Sequence, residues 1–142
     1  MADKIRLEVV TPESEIFNDL VDSFTLPIID GRAGVLCNHA PMLAALETGV
    51  IVYNKDGKPG CIAISNGFLE VKNNEAKVLA STAELAEDID VERAKASMER
   101  AKQRLTEKAN DTDSARAAAS LSRAMARLNA TEYLMESMTN KK

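Results

Sequence analysis

Ala80-Ser81-Thr82-Ala83-Glu84-Leu85-Ala86-Glu87-Asp88-Ile89-Asp90-Val91-Glu92-Arg93-Ala94 is where this chain changes its grammar. Upstream, apolar residues alternate with polar ones and turn signals recur, the period-2 pattern of half-buried strands. Downstream, two alanine-rich stretches run without glycine or proline, since all 6 Gly and all 4 Pro lie before residue 68. The pattern predicts an α+β chain: an N-terminal antiparallel β-sandwich or flattened barrel over 1–86, followed by a C-terminal antiparallel two-helix hairpin over 87–142.

Working back from the junction, Ile5–Thr11 alternates with Ile5, Leu7 and Val9 on one face. Pro12 and Ser14 mark a turn, and Glu15–Asn18 follows as a short strand. Phe24–Ile29 reads as another, where Pro27 suggests an edge position or a bulge. Asp30–Gly34 reads as a turn, Val35-Leu36 as a brief strand, Cys37–Pro41 as a loop and Met42–Leu46 as a short apolar run. Gly49–Tyr53 and Gly60–Ile64 flank Asp56-Gly57, a strong hairpin signal. Phe68–Lys72 and Glu75–Leu79 flank Asn73-Asn74, two residues that tolerate positive φ.

Working forward, Asp90 is a good N-cap for a helix through about Lys108. Asn110–Asp113 is turn-like, and Asp113 can cap a second helix from Ser114 to about Met138. Stripes at Ala94, Met98, Ala101, Leu105 and at Ala118, Leu121, Met125, Leu128, Met135 predict the contact faces. So short a connection makes the helices antiparallel neighbours. Buried alanine contributes far less than the roughly 1.5–3 kcal/mol of a buried leucine. The reading is therefore stable helices with weak docking.

Composition excludes several functions. The net charge is −4, with 7 Lys/Arg against 12 Asp/Glu in residues 1–86 and 11 against 10 in the rest. Neither half has the clustered basic surface of a nucleic-acid binder. No apolar run approaches the roughly 18 residues of a membrane span, and the N-terminus shows no apolar signal region. Cys37 and Cys61 form no Cys-x-x-Cys; free buried thiols in a reducing cytoplasm are the expectation. His39, the one histidine, lacks companions for a metal or a catalytic dyad, and is read as a loop or interface residue. Gly31-x-x-Gly34 lacks the ending of a phosphate loop. Glu84, Asp88 and Asp90 fit helix capping better than acid–base work, because no nucleophile stands near them. No catalytic residue and no metal site is expected.

Arginines recur on matched helical faces: Arg93 and Arg100, with Arg104 one turn on, and Arg116 and Arg123, with Arg127 beyond. No acidic residue lies between Ser114 and Thr131. Antiparallel helices could converge these guanidiniums on a polyphosphate, or present them to an acidic partner helix. A solvated charged face is the plainer alternative.

Gly34-Val35-Leu36, His39-Ala40-Pro41-Met42-Leu43, Ile64-Ser65-Asn66-Gly67-Phe68-Leu69-Glu70-Val71 and Ala86-Glu87-Asp88-Ile89-Asp90, in this order and spacing, resemble the epsilon subunit of bacterial F-type ATP synthases. The resemblance implies a non-catalytic central-stalk subunit coupling rotation of the catalytic head to ion flow. It implies a sandwich set against the gamma subunit and the c-ring, at the cytoplasmic face of the membrane and bound there only through the complex. The stretch Asp30–Pro41 matches the family's ring-facing loop, which gives Asp30, Gly31, Arg32 and His39 an interface role. Cys37-Asn38 stands where relatives often carry Pro-Gly-type turn residues. The hairpin is implied to alternate between a folded form and an extended form that reaches the alpha and beta subunits and blocks ATP hydrolysis.

No cofactor is required by this resemblance, but ATP is implied as a regulatory ligand. Ile89-Asp90-Val91-Glu92-Arg93-Ala94 fully matches the family's pattern Ile/Leu-Asp-x-x-Arg-Ala. Glu84 corresponds to an upstream carboxylate that contacts the nucleotide, and Arg100, Arg123 and Arg127 to positions that hold its phosphates. Arg116, with Arg123 and Arg127, is an alternative contact to acidic residues of the beta subunit. The competing expectation is a purely structural stalk subunit without nucleotide sensing. The second helix also runs about ten residues past the end of shorter members, through Glu132–Lys142.

Overall fold

The computed structural model describes residues 3–107 and 111–139. Among the described residues ten strands are formed: β1 (Ile5–Val10), β2 (Glu15–Val21), β3 (Ser23–Ile28), β4 (Gly31–Leu36), β5 (Met42–Leu46), β6 (Gly49–Lys55), β7 (Lys58–Ile64), β8 (Gly67–Lys72), β9 (Glu75–Ala80) and β10 (Ala83–Leu85). They run β10-β7-β6-β3-β5-β8-β9-β1-β2, with β4 also on β3. The ladder is thin at β3–β5, a single pair of Ile28 and Leu46, and there the sheet folds over into two layers. The other rim is drawn together by Phe17 against Tyr53, ring centroids 4.7 Å apart, and by the Lys55–Asp19 ion pair. Between the layers lie Ile5, Leu7, Val9, Leu26, Ile51, Ile62, Leu69 and Val78, all 0% exposed.

Both hairpins form as their sequences dictate. Asp56 and Gly57 take φ of 53° and 79°, and Asn73 and Asn74 take 51° and 60°; positive φ at both central residues matches the twist of the flanking strands. The antiparallel expectation has one exception, because β1 pairs with β9 in parallel. Three local expectations are corrected. Gly31–Gly34 is not a turn: the reversal is at Ile29–Asp30, and Gly31 begins β4, paired with β3 through Leu36. Pro27 lies inside the sheet, not at its edge. It faces Arg32 of β4 on one side, and on the other it falls where β3 changes partner from β6 to β5, a position that needs no ladder N–H. β2 runs to Val21, three residues past the predicted end, because β1 offers a partner as far as Ile5.

After a 3-10 turn at Ala86–Asp88, helices α1 (Val91–Thr106) and α2 (Asp111–Thr139) pack on each other, and α2 lies on β6 and β7. Asn110 and the side chain of Asp113 lie outside the described residues, and with them the turn and the cap expected there. The α1 stripe is as predicted, with Ala94 and Ala101 buried. The α2 stripe is met only in part, at Leu121 and Leu128, which are half-buried. Its buried residues among those described are Ala117, Ala124, Ala126 and Ala130, whereas Ala118 is exposed and Met125 is 47% and Met135 67% exposed. Residue size explains the reversal: alanine lets a helix backbone come close to a sheet and to a second helix, and methionine does not. A second apolar cluster results, in which Ala126 and Ala130 meet Val50, Cys61 and Ala63, flanked by Leu128 and Leu134.

This thin seam carries a testable consequence. Ala130 is 0% exposed, and overpacking costs about 1–3 kcal/mol, which raises an undocked population by roughly 5–150-fold. Cys61 lies under α2, and burial pushes its thiol up to about 11, so it reacts slowly while docked. Ala130→Leu is expected to speed alkylation of Cys61 by about fivefold or more, measured against Cys37 in the same chain. An unchanged rate would mean that the seam is not thin.

Candidate functional site

The motif Ile89–Ala94 is built as a capped junction. Ile89 and Ala94 are buried in the second apolar cluster. Between them Asp90 stays extended, and its Oδ1 accepts from the Arg93 N–H at 3.1 Å. That satisfies one of the free N–H groups at the helix start. The capping expectation thus holds for Asp90 alone. Asp88 ends the 3-10 turn, and Glu84 sits on β10, opposite Ala63 of β7.

Glu84 accepts from Nε of Arg127 at 3.0 Å across the seam between sandwich and α2. The acid missing from α2 is therefore supplied by the sheet. Cavities open on either side of this pair. One, about 410 Å³, is lined by Glu84, Asp88, Asp90, Arg93, Ser97 and Arg127. The other, about 220 Å³, lies between the sheet and α2, where Ser65, Thr82 and Glu84 meet Arg123 and Arg127.

Glu84, Asp90, Arg93, Ala94 and Arg127 of the predicted set thus share one cavity, and Arg123 joins Glu84 and Arg127 in the other. Arg100 borders neither cavity. Arg100 donates to Ser97 Oγ at 3.0 Å and Arg123 to Ser120 Oγ at 3.2 Å, each one turn back on its own helix. Arg116 is exposed and borders neither cavity. The larger cavity is not purely basic either, since Glu84, Asp88 and Asp90 face Arg93 and Arg127 in it. Sequence reasoning missed Ser65 and Thr82. Ser65 stood inside a quoted motif, but no periodicity linked it to an arginine 58 positions away on α2.

The predicted ring-facing residues are divided between the ends of the sandwich. Asp30 and Gly31 form the β3–β4 tip, with Ile29 56% exposed beside them. Arg32 reaches over the sheet to Thr25 Oγ1 at 2.9 Å and to the Val50 carbonyl at 2.6 Å. His39 lies past the far end of β4, a strand of six residues spanning roughly 17 Å. There its Nδ1 is 2.8 Å from the Ala40 carbonyl oxygen. Asn38 takes φ of 62° and donates its N–H to Asn74 Oδ1 at 2.8 Å, so asparagine serves this turn.

A further exposed apolar face lies on β5, β8 and β9, the side away from the helices. Leu43 is 79%, Phe68 66% and Leu79 50% exposed, and Ala45, Phe68 and Leu79 are neighbours across the three strands. Among the described residues no group of His, Cys, Asp and Glu has the arrangement of a metal site, and no helix is long and apolar enough to cross a membrane.

Residues 4–86 match the family model of the ATP synthase delta/epsilon chain, beta-sandwich domain, and residues 87–132 that of its long alpha-helix domain. An ATP synthase epsilon chain of Carboxydothermus hydrogenoformans is 50% identical over 108 residues, 76% of this chain and 81% of that one. This chain belongs to the epsilon-chain family of bacterial ATP synthases. A second epsilon chain, from Desulforamulus reducens, is 48% identical over 108 residues, 76% of this chain and 82% of that one. The same fold occurs in the mitochondrial ATP synthase of Euglena gracilis, solved with its OSCP, F1 and c-ring. A chain of that complex superposes with a TM-score of 0.66 at 21% identity, covering 96% of this chain and 82% of that one. The epsilon-chain family models stop at residue 132. Leu134 lies beyond that point and still packs on the second apolar cluster.

Proposed function

We propose that this chain is the non-catalytic epsilon subunit of the central stalk, and that its helical hairpin is a nucleotide-responsive brake on ATP hydrolysis. The observation that carries the brake is the pairing of a thin alanine seam with cavities at the seam itself, lined by Arg93, Arg123 and Arg127. A polyanion held there contacts the sandwich and α2 at once, so binding favours the docked arm by its differential affinity. With the arm undocked, Arg116, Arg123 and Arg127 on α2 face acidic surface of the catalytic alpha and beta subunits.

The apolar face of Leu43, Phe68 and Leu79 suits a protein partner, and gamma takes that place in this reading. The β3–β4 tip, with Ile29 and Asp30, faces the c-ring, and His39 at the opposite end is left to another neighbour. The subunit is thereby held at the cytoplasmic face of the membrane through the complex. Calorimetric titration of the full chain with ATP, with ADP and GTP as controls, tests the nucleotide part. Saturable binding in the micromolar to low millimolar range, selective for ATP, is the expected result. The Glu84–Arg127 pair favours one competing reading, a purely structural stalk subunit whose site is already closed by its own carboxylate. Absence of saturable heat would establish that reading instead.

A further inference from the structure

The geometry points to a bipartite nucleotide site in which the smaller cavity, with Thr82 and Ser65 of the sandwich, takes the terminal phosphates while the larger one takes the nucleoside. The inference rests on the nucleotide reading above. Volume argues first: about 220 Å³ is below the roughly 300–1,000 Å³ of sites that hold a whole drug-sized ligand, whereas about 410 Å³ lies within it.

Chemistry separates the two in the same sense. Glu84 and Arg127 line both cavities; the larger adds the carboxylates of Asp88 and Asp90 against Arg93, so acids outnumber arginines there and offer acceptors for ribose hydroxyls and a base amino group. The smaller adds Arg123 and two hydroxyls, so arginines outnumber the one acid. Ser65 is 4% exposed, the one buried polar residue among those described. Its Oγ accepts the Thr82 N–H at 2.8 Å and lies 2.8 Å from Thr82 Oγ1. One of the two hydroxyls donates to the other, and the second proton is left for the cavity that both residues line. Arg127 bonds Glu84 through Nε, and its Nη donors remain for the two cavities it lines. A phosphate there joins β7 and the β9–β10 connection to α2, bridging the seam that holds the arm down.

The test uses the full chain and Thr82→Val, which keeps the backbone N–H bonded to Ser65 and removes the hydroxyl. Calorimetry with ATP, AMP and inorganic tripolyphosphate is expected to show ATP about 10–100-fold weaker in Thr82→Val, AMP unchanged, and Thr82→Ser restoring the affinity for ATP. Equal ATP affinity in Thr82→Val, or equal loss for ATP and AMP, overturns the assignment while leaving the nucleotide reading intact. Tripolyphosphate binding as tightly as ATP would overturn it too, as a free-anion site. A native chain that binds no ATP fails at the earlier step and removes the basis for both.

Discussion

Arg123→Ala together with Arg127→Ala is expected to abolish ATP binding by the full chain without unfolding it. Hydrogen bonds to charged groups are worth about 1.5–3 kcal/mol each, so losing both guanidiniums weakens ATP by roughly 10²–10⁴-fold, beyond detection from a starting point near millimolar. The stability cost is small. The Glu84–Arg127 pair has its side chains 38% and 35% exposed, and such pairs contribute about 0–1 kcal/mol. Among the described residues Arg123 bonds to Ser120 of its own helix. Calorimetry paired with thermal unfolding therefore separates ligand loss from structural loss. ATP affinity kept within threefold in the double variant would remove the arginines from the site.

Gly67→Ala should cost about 3 kcal/mol or more. Gly67 shares the core face of β8 with Leu69 and Val71. A Cβ there would stand 2.0 Å from the Leu79 carbonyl oxygen and 2.8 Å from Ala80 Cα. Both obstacles are backbone of β9, so no side-chain rotation relieves them, and the β8–β9 ladder must open. A fall in melting temperature of roughly 10 °C follows for a chain of this size, measured by circular dichroism. A shift under about 2 °C would show that β9 yields at little cost. The same contact gives a physical reason for glycine in the stretch Asn66-Gly67-Phe68, a stretch that also carried the family resemblance.

Much of the fold was legible in the chain. Alternation marked Ile5, Leu7 and Val9 as core, and Asp56-Gly57 and Asn73-Asn74 marked their hairpins, because those signals act between residues a few positions apart. β10 and the continuation of β2 through Asp19–Val21 were not legible. Neither segment has a strong strand composition, and each is extended because a partner strand already lies beside it. The α2 stripe failed at Ala118, Met125 and Met135 for a related reason. Periodicity identifies faces but not which face wins. Leu121, Met125 and Met135 made the more hydrophobic stripe, yet the alanine face allowed the closer approach.

The site divides the same way. Asp90 as cap was readable locally, since a cap contacts its own helix three residues on. The Glu84–Arg127 pair joins residues 43 positions apart, and the Ser65–Thr82 pair joins two strand ends. Neither leaves a periodic trace.

What the sequence alone determined is the class of each half, the place of the junction and the motif at the start of α1, all set by short-range preference. The tertiary structure decided which arginines share a cavity, that a sandwich carboxylate answers Arg127, that β4 carries Asp30 and His39 to opposite ends, and that alanines form the seam. Those outcomes depend on which surfaces can approach closely once whole elements are in place. Close approach is a property of assembled shape, and no window of residues contains it.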